Sequence, residues 1–448
     1  MTPTDFRPEL IQPFPFQIED AKWLASKDSA FLANEMRVGK TPAVIRAIDI
    51  LGLKNCLIIC PASVRANWAR ELQRFSPFDR PTQVVFPGMR PNTSDVVIIS
   101  YDMLVTYKDL LKSVQWDIVV ADEAHLAKER TAARTRALYG HGKRSLGIIS
   151  SAKRCWRLSG SPCPNNVSEL WPHLHSAGLA PESYWDFTFF FCSGFNTDYG
   201  FSITGSKNVN ELKARLSGFM RRRTLAEVMP DLPPVTFETV TVPRSEACLS
   251  PEFIPLIPQL AQVDQELQVA LSAIPLDEQA SMIERTAGSV TTLRRFTLML
   301  KLPAIGEQLE SDLESGAIDK IVIFCVFKIG VEWMAARLKK FGVVTLNGET
   351  PAKKRQENID QFKYRKDTRV FIGNLIAAGV GIDLTPCTEC ALLECSYVPG
   401  DNAQAVKRLQ GVNQKAPVRV RVFSLFKSAD ERVSEALVRK VKELAKIL

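Results

Sequence analysis

Ala30-Phe31-Leu32-Ala33-Asn34-Glu35-Met36-Arg37-Val38-Gly39-Lys40-Thr41-Pro42 reads as a buried strand, a tight loop and the first turn of a helix. Pro42 sits where a helix has no use for a backbone N–H, and Gly52 is placed to end that helix. A strand–loop–helix unit of this kind belongs to a parallel α/β sheet, which binds ligands at the carboxyl ends of its strands. Gly39 lets backbone amides approach a phosphate, Lys40 can neutralise β- and γ-phosphates, and the Thr41 hydroxyl can hold Mg²⁺. Taken alone, Gly39-Lys40-Thr41 also suits an ordinary loop, because the first glycine of the usual phosphate-loop pattern is missing.

A second element narrows the choice. Asp117-Ile118-Val119-Val120-Ala121-Asp122-Glu123-Ala124-His125 is an apolar strand that ends in two carboxylates. Adjacent acids at the tip of a buried strand are costly unless they bind something. Asp122 is the candidate for holding Mg²⁺ through water, and Glu123 for orienting and activating an attacking water. A solvated strand end is the bland alternative for an isolated Asp-Glu, less so for an Asp-Glu-Ala-His tetrad that follows a phosphate loop.

Outward from these two, short β-rich runs alternate with helical patterns. Expected strands are Ala30–Ala33, Cys56–Cys60, Val96–Ile99, Ile118–Ala121 and Trp156–Leu158, then Ile321–Phe324, Val343–Leu346, Val370–Ile372, Ala391–Glu394 and Val418–Phe423. Residues 259–315 have a helical texture, and Pro230, Pro233 and Pro234 make Met229–Val242 an extended connection. The last stretch of the chain reads as an amphipathic helix packed on the second series. With 448 residues, two domains are expected. The chain is 46% hydrophobic and 24% charged, with a formal net charge of +8 that suits a polyanion partner. No apolar run reaches the ~18 residues a membrane span needs, and the N-terminus has no secretory pattern. The ten cysteines read as reduced, buried thiols; Cys387, Cys390 and Cys395 lack a fourth ligand nearby for zinc. His141, His173 and His175 have no metal-site spacing.

Further segments stand in a fixed order around the loop and the tetrad. Pro15-Phe16-Gln17 precedes the loop, with Trp23-Leu24 behind it. Cys60-Pro61-Ala62-Ser63 with Asn67-Trp68, then Ile99-Ser100-Tyr101, then Leu158-Ser159-Gly160-Ser161-Pro162 with Asn165-Asn166 and Glu169-Leu170-Trp171 follow strands. Ala378-Gly379-Val380-Gly381-Ile382-Asp383-Leu384-Thr385 precedes Gln404-Ala405, Arg408 and Gln414. Over nearly the whole chain this order resembles the motifs of superfamily 2 helicases, specifically the Swi/Snf-type DNA translocases. Phe219 to Arg223, Val228 and Leu232-Pro233-Pro234 resemble the crossing between that family's lobes. With Tyr199-Gly200, Gly205-Ser206 and Leu302-Pro303-Ala304-Ile305, they are similar to the annealing-helicase, fork-remodelling branch.

The resemblance implies an α/β fold of two RecA-like parallel-sheet lobes in tandem. The first is expected over 1–235 with a helical insertion at 172–228, the second over 236–448 with one at 245–315. It implies a DNA-dependent ATPase using ATP and Mg²⁺ on duplex, forked or junction DNA, for fork or junction remodelling, strand annealing or branch migration. Replication or recombination proteins are the further partners it suggests. Lys40, Thr41, Asp122, Glu123 and Arg408 become the catalytic set, and Phe16, Gln17, Arg37, Gly39, Gly381, Asp383 and Gln404 further nucleotide contacts. Ser63, Ser100 and Tyr101 on the first lobe, with Lys328, Asn347, Gly348 and Thr385 on the second, become the DNA track. Serine and asparagine are also ordinary turn residues. His125, Ser159 and Ser161 are expected to couple the two functions, and Arg221–Arg223 to touch DNA or phosphate or to form a solvated or helix-pairing face.

Three departures matter. Asn34 and Arg37 replace the family's usual Asp and first Gly, Gly411 stands where a second arginine is usual, and Asn413 replaces a glycine. Arg37 and Lys407 are the candidate substitutes for the missing arginine. An RNA helicase of the same superfamily, or a decayed ATPase that grips DNA, are the competing readings. The short span around the motifs reads as a minimal bacterial or phage motor working in the cytoplasm of the cell or infected host.

Overall fold

The computed structural model describes residues 10–447, apart from 93–94, 142–144, 198–199, 276–278, 280–281, 284–287, 289, 379–381, 386, 412–413 and 415. The chain divides into two compact units, Met1–Pro230 and Asp231–Leu448.

The first unit is built on seven strands, side by side in the order Met220–Arg221, Ser29–Leu32, Ala152–Leu158, Trp116–Asp122, Cys56–Cys60, Val96–Ser100 and Thr82–Val84. All the pairings are parallel. The central strands are unbroken apolar runs, as strands covered on both faces must be; Cys56–Cys60 and Val96–Ser100 are buried at every residue. Helices Pro15–Ala25, Lys40–Leu51, Arg65–Phe75 and Tyr101–Lys112 connect or flank them. The carboxyl ends of the strands at Leu32, Asp122 and Leu158 thus lie next to one another, which gathers the sequence motifs at one end of the sheet.

The second unit has six parallel strands in the order Val235–Val242, Val418–Leu425, Glu389–Leu392, Ile321–Cys325, Val370–Asn374 and Val343–Leu346. Helix Thr291–Glu314 buries Leu298, Leu302, Ile305, Leu309 and Leu313, spaced along one face, against Ile321, Ile323 and Phe423 of this sheet. Lys301 is buried there with its charge answered by Asp430 Oδ2 at 2.7 Å and by the Phe423 carbonyl at 2.9 Å. Helix Ala429–Ile447 closes the chain.

The sequence-based strands are all present, and among the described residues three more join them in the two large sheets. Thr82–Val84 and Met220–Arg221 are too short to carry a pattern. Val235–Val242 is a strand rather than a connection: its Val-Thr-Phe-Glu-Thr-Val-Thr-Val alternation is that of a half-covered edge strand, and the prolines precede it. It belongs to the second unit, so the division falls after Pro230 rather than after residue 235. The insertion at 172–228, expected to be helical, also contains an antiparallel hairpin of Cys192–Thr197 with Gly200–Ser206. Phe201 of this hairpin meets Phe189 of helix Tyr184–Phe191 edge to face, with ring centroids 5.1 Å apart. Tyr199 lies outside the described residues.

Candidate nucleotide site and nucleic-acid track

Strand Ser29–Leu32 delivers the chain into the loop that ends at Gly39, the residue before helix Lys40–Leu51. Gly39 is left-handed, with φ 83°, a backbone that favours glycine, and a Cβ there would lie 2.1 Å from Gln17 Nε2 and push that side chain aside. Gln17 spans the gap from the preceding helix: its amide donates to the Val38 carbonyl at 3.3 Å and accepts from the Phe14 N–H at 3.0 Å. Phe16 stacks on Phe14, ring centroids 5.6 Å apart, at the start of that helix. Arg37 is also left-handed, with φ 73°. A side chain in that region costs about 1 kcal/mol or more relative to glycine, so the departure from glycine is borne as backbone strain. Lys40 Nζ donates to the Asn34 carbonyl at 2.9 Å, and Thr41 occupies the first turn of the helix.

The acid pair stands where the central strand Trp116–Asp122 ends. Asp122 Oδ2 accepts from Trp68 Nε1 at 2.8 Å and Oδ1 from the Glu123 N–H at 3.0 Å. Burial, with the adjacent Glu123 charge, pushes its carboxyl up to about 6, and the Lys40 charge pulls the other way. Lys40 and Asp122 therefore share one electrostatic site. Glu123 adopts φ 50°, ψ 50°, turning the chain out of the strand. His125 Nδ1 lies 3.3 Å from Glu123 Oε2 and 2.9 Å from Ser159 Oγ, and Ser159 Oγ accepts from the Ser161 N–H at 3.1 Å. A Cβ on Gly160 would lie 3.6 Å from Lys40 Nζ and 2.9 Å from Met36 Cγ, so this segment also packs on the phosphate loop. Hard oxygen donors from Thr41 and Asp122 beside a lysine fit Mg²⁺ held mainly by phosphate and water.

Of the readings of Arg221–Arg223, the helix-pairing face is the one seen, for Arg221 and Arg223, which meet acids of helix Pro15–Ala25. Arg222 Nη1 donates to the Ala33 carbonyl at 3.2 Å, and Arg223 and Arg221 pair with Asp20. Two track residues are also corrected. Tyr101 is 3% exposed, and its hydroxyl donates to the Asp122 carbonyl at 2.9 Å. Ser100 is buried and accepts from the Met103 N–H, capping the helix that Tyr101 opens. Tyr101 thus braces the acid pair from behind, and Ser100 serves the helix. Ser63 is half-buried in the turn Ala62–Val64.

In the second unit Lys328 is exposed and pairs with Glu349 at 2.9 Å, beside the turn in which Asn347 Oδ1 accepts from the Glu349 N–H and Thr350 Oγ1; Gly348 is exposed. Asp383 is held by Lys363 Nζ and by Thr385 Oγ1, the latter at 2.9 Å. Thr385 is buried, so its hydroxyl serves Asp383 rather than a track. Arg408 is buried, its carbonyl accepting from the Leu384 N–H at 2.9 Å, and Gln404 is half-buried on helix Pro399–Val406. Gln414 donates to the Cys387 and Leu409 carbonyls, which makes it a brace. Gly381 and Asn413 lie outside the described residues. Cys387, Cys390 and Cys395 are buried thiols, Cys387 pushed up to about 12 by burial. Among the described residues no group of three or more His, Cys, Asp or Glu could hold a metal.

Gly411 stands against Thr385: a Cβ would lie 2.8 Å from Thr385 Cγ2. Gly411→Arg is therefore expected to displace Thr385 and loosen Asp383. It should lower the melting temperature, consistent with an overpacking cost of about 1–3 kcal/mol, and slow turnover. Gly411→Ala carries the same Cβ and should show part of both effects. A faster arginine variant with unchanged melting would show that Thr385 yields freely.

The residues that sequence reasoning missed are Asp20, Lys363 and the roles of Trp68 and Arg222. Each acts on a partner far away in sequence; an acid one helical turn after Gln17 was the only signal for Asp20.

Among known proteins, the SNF2-related domain matches residues 16–248 and the helicase conserved C-terminal domain residues 301–410. The Caenorhabditis elegans homolog of the SWI/SNF-related matrix-associated actin-dependent regulator of chromatin subfamily A-like protein 1 is 28% identical, over 98% of this chain and 62% of its own. The Bos taurus DNA annealing helicase and endonuclease ZRANB3 is 26% identical, over 93% of this chain and 39% of its own. The chain thus spans less than two thirds of the length of either relative. A solved Sulfolobus solfataricus SWI2/SNF2 ATPase core in complex with dsDNA aligns over 98% of this chain and 95% of that one, at 23% identity and a TM-score of 0.44.

Proposed function

We propose, from the premise that this chain belongs to the SNF2-related domain family, that it is an ATP-driven motor moving on double-stranded or branched DNA. The observation that carries the reading is the clustering within the first unit of Lys40, Asp122, Glu123, His125 and Ser159, linked by hydrogen bonds or by a shared field. In this reading Lys40 and the amides near Gly39 hold the phosphates of ATP, while Thr41 and Asp122 hold Mg²⁺. When bound, Mg²⁺ neutralises phosphate charge. Glu123 orients the attacking water and takes its proton, and His125 passes the state of Glu123 to the Ser159–Ser161 segment. Gln17 and Phe16 sit on the adenine side. In the second unit, Asp383 and Arg408 are the residues that the family resemblance assigns to ATP; there Asp383 is held by Lys363 and Arg408 is buried.

Ser63 in the first unit, with Lys328, Asn347 and Gly348 in the second, are the remaining track candidates. Such groups hold a backbone without reading bases. The finer reading, fork or junction remodelling and strand annealing, rests on the similarity to the annealing-helicase branch. The test is ATPase activity with single-stranded, duplex, forked and four-way DNA and with duplex RNA. Stimulation by branched or duplex DNA is expected; stimulation by RNA alone would overturn the substrate.

DNA affinity should fall linearly in log K against log salt concentration, because neutralised phosphates release counterions, and should hardly depend on sequence. A filter-binding or anisotropy titration at several salt concentrations checks this. A flat salt response, or strong preference for one base sequence, would indicate a base reader instead.

No helix among the described residues is long and apolar enough to cross a membrane.

A further inference from the structure

Asp20 lies one turn after Gln17 on helix Pro15–Ala25 and is 0% exposed. Both of its carboxylate oxygens are used. Oδ2 accepts from Asn34 Nδ2 at 2.6 Å, and Oδ1 accepts from Arg223 Nε at 2.9 Å and is ion-paired with Arg221 Nε at 3.0 Å. Asn34 is used at both ends as well, since its Oδ1 accepts from the Arg223 N–H at 2.9 Å. Its main-chain carbonyl is the group that receives Lys40 Nζ. The next residue closes the circuit, with the Glu35 N–H donating to the Arg223 carbonyl at 2.9 Å. Three pieces of chain are thereby pinned at Asn34: the helix that carries Gln17, the phosphate loop, and the segment after strand Met220–Arg221.

We infer that Asp20 and Asn34 are a matched carboxylate–amide pair that positions Lys40, so that Asn34 is a relocation of the local charge and not a lost function. The inference rests on the reading of Lys40 as the phosphate-binding lysine. The chemistry of the pair is strict. An aspartate at position 34 would set two carboxylates against each other at a distance of 2.6 Å, where one must take up a proton or move away. An asparagine at position 20 has a single acceptor oxygen. Turned to the arginines, it presents an NH₂ to the NH₂ of Asn34; turned to Asn34, it presents an NH₂ to a guanidinium. Either single change leaves a buried donor or acceptor unmatched. Exchanging the two residues restores every match. The amide now at position 20 donates to the carboxylate now at position 34. That carboxylate still accepts from the Arg223 N–H, and the amide oxygen at position 20 still accepts from the Arg223 guanidinium.

The pair predicts a sign reversal that a loose structural contact would not give. Full-length Asp20→Asn, Asn34→Asp and the double exchange are compared for affinity towards a fluorescent ATP analogue with Mg²⁺, for KM and kcat, and for melting temperature. Each single variant is expected to bind nucleotide on the order of tenfold more weakly, with the loss carried mainly in KM. The exchange is expected to return affinity to within about threefold of wild type. Losses in the double variant that equal the product of the single losses would overturn the pair, as would single variants with wild-type affinity. An exchange variant that does not fold would overturn it too, since interchangeability is the claim. Should a single variant fail to fold, the affinity of the exchange still decides. Lys40→Ala is the control: if it binds nucleotide as wild type does, the reading of the phosphate site fails; if it loses binding while the pair variants do not, the pair alone fails.

Discussion

Glu123→Gln is expected to cut ATP turnover by about 10²–10⁴-fold while leaving nucleotide binding intact. Glu123 follows the last residue of the central strand and turns out of it through a left-handed backbone. Glutamine has the same shape, so that turn and the approach to His125 can persist. What is lost is the basic oxygen: an amide cannot take the proton of the attacking water. The variant should therefore load ATP and hold it. Phosphate release measured beside binding of a fluorescent ATP analogue separates the two effects. Turnover within about tenfold of wild type would remove Glu123 from the role assigned to it.

Lys40→Ala should fail at the earlier step. Removing a charge-assisted contact to phosphate costs about 1.5–3 kcal/mol, or about 10–100-fold in affinity. A second loss follows from the neighbouring acid. Asp122 is already pushed up to about 6, and Lys40 is among the groups that hold it down. Without Lys40 the carboxyl rises further, and below its pKa it is protonated and a poor metal ligand. Nucleotide–Mg²⁺ affinity should thus fall as pH falls, in wild type near pH 6 and in Lys40→Ala at a higher pH. Affinity titrations from about pH 5.5 to about 8.5 bracket that range and check the direction; a midpoint that stays in place would show that Lys40 does not act on Asp122.

Much of this site was legible because its chemistry is local in sequence. A strand, a glycine, a lysine and a hydroxyl residue in succession, or an apolar run that ends in two acids, announce themselves by pattern. Ser100 and Tyr101 show the limit. Their place at a strand end was read correctly, yet the side chains turn back to cap a helix and brace Asp122, which no spacing reveals. Asp20 and Arg223 are separated by most of the first unit, so their pairing is a product of the sheet order. The short edge strands carried no periodicity, and the hairpin at Cys192–Thr197 follows an aromatic helix whose composition dominates its surroundings. The crowding of Gly411 by Thr385, which bears on any side chain placed there, had no signal in the sequence.

The strand order also sets a timetable for synthesis. Val235–Val242 is the first strand of the second unit to leave the ribosome, and its partner along its whole length is Val418–Leu425, the last strand of that sheet in chain order. Until that late strand emerges, the early one has nothing to pair with in the sheet and shows a bare row of amides and carbonyls, the kind of edge that recruits other chains. The first unit meets a milder version, since Ser29–Leu32 waits for Ala152–Leu158 on one side and Met220–Arg221 on the other. A nascent chain stopped between residues 243 and 417 therefore carries that strand without its sheet partner.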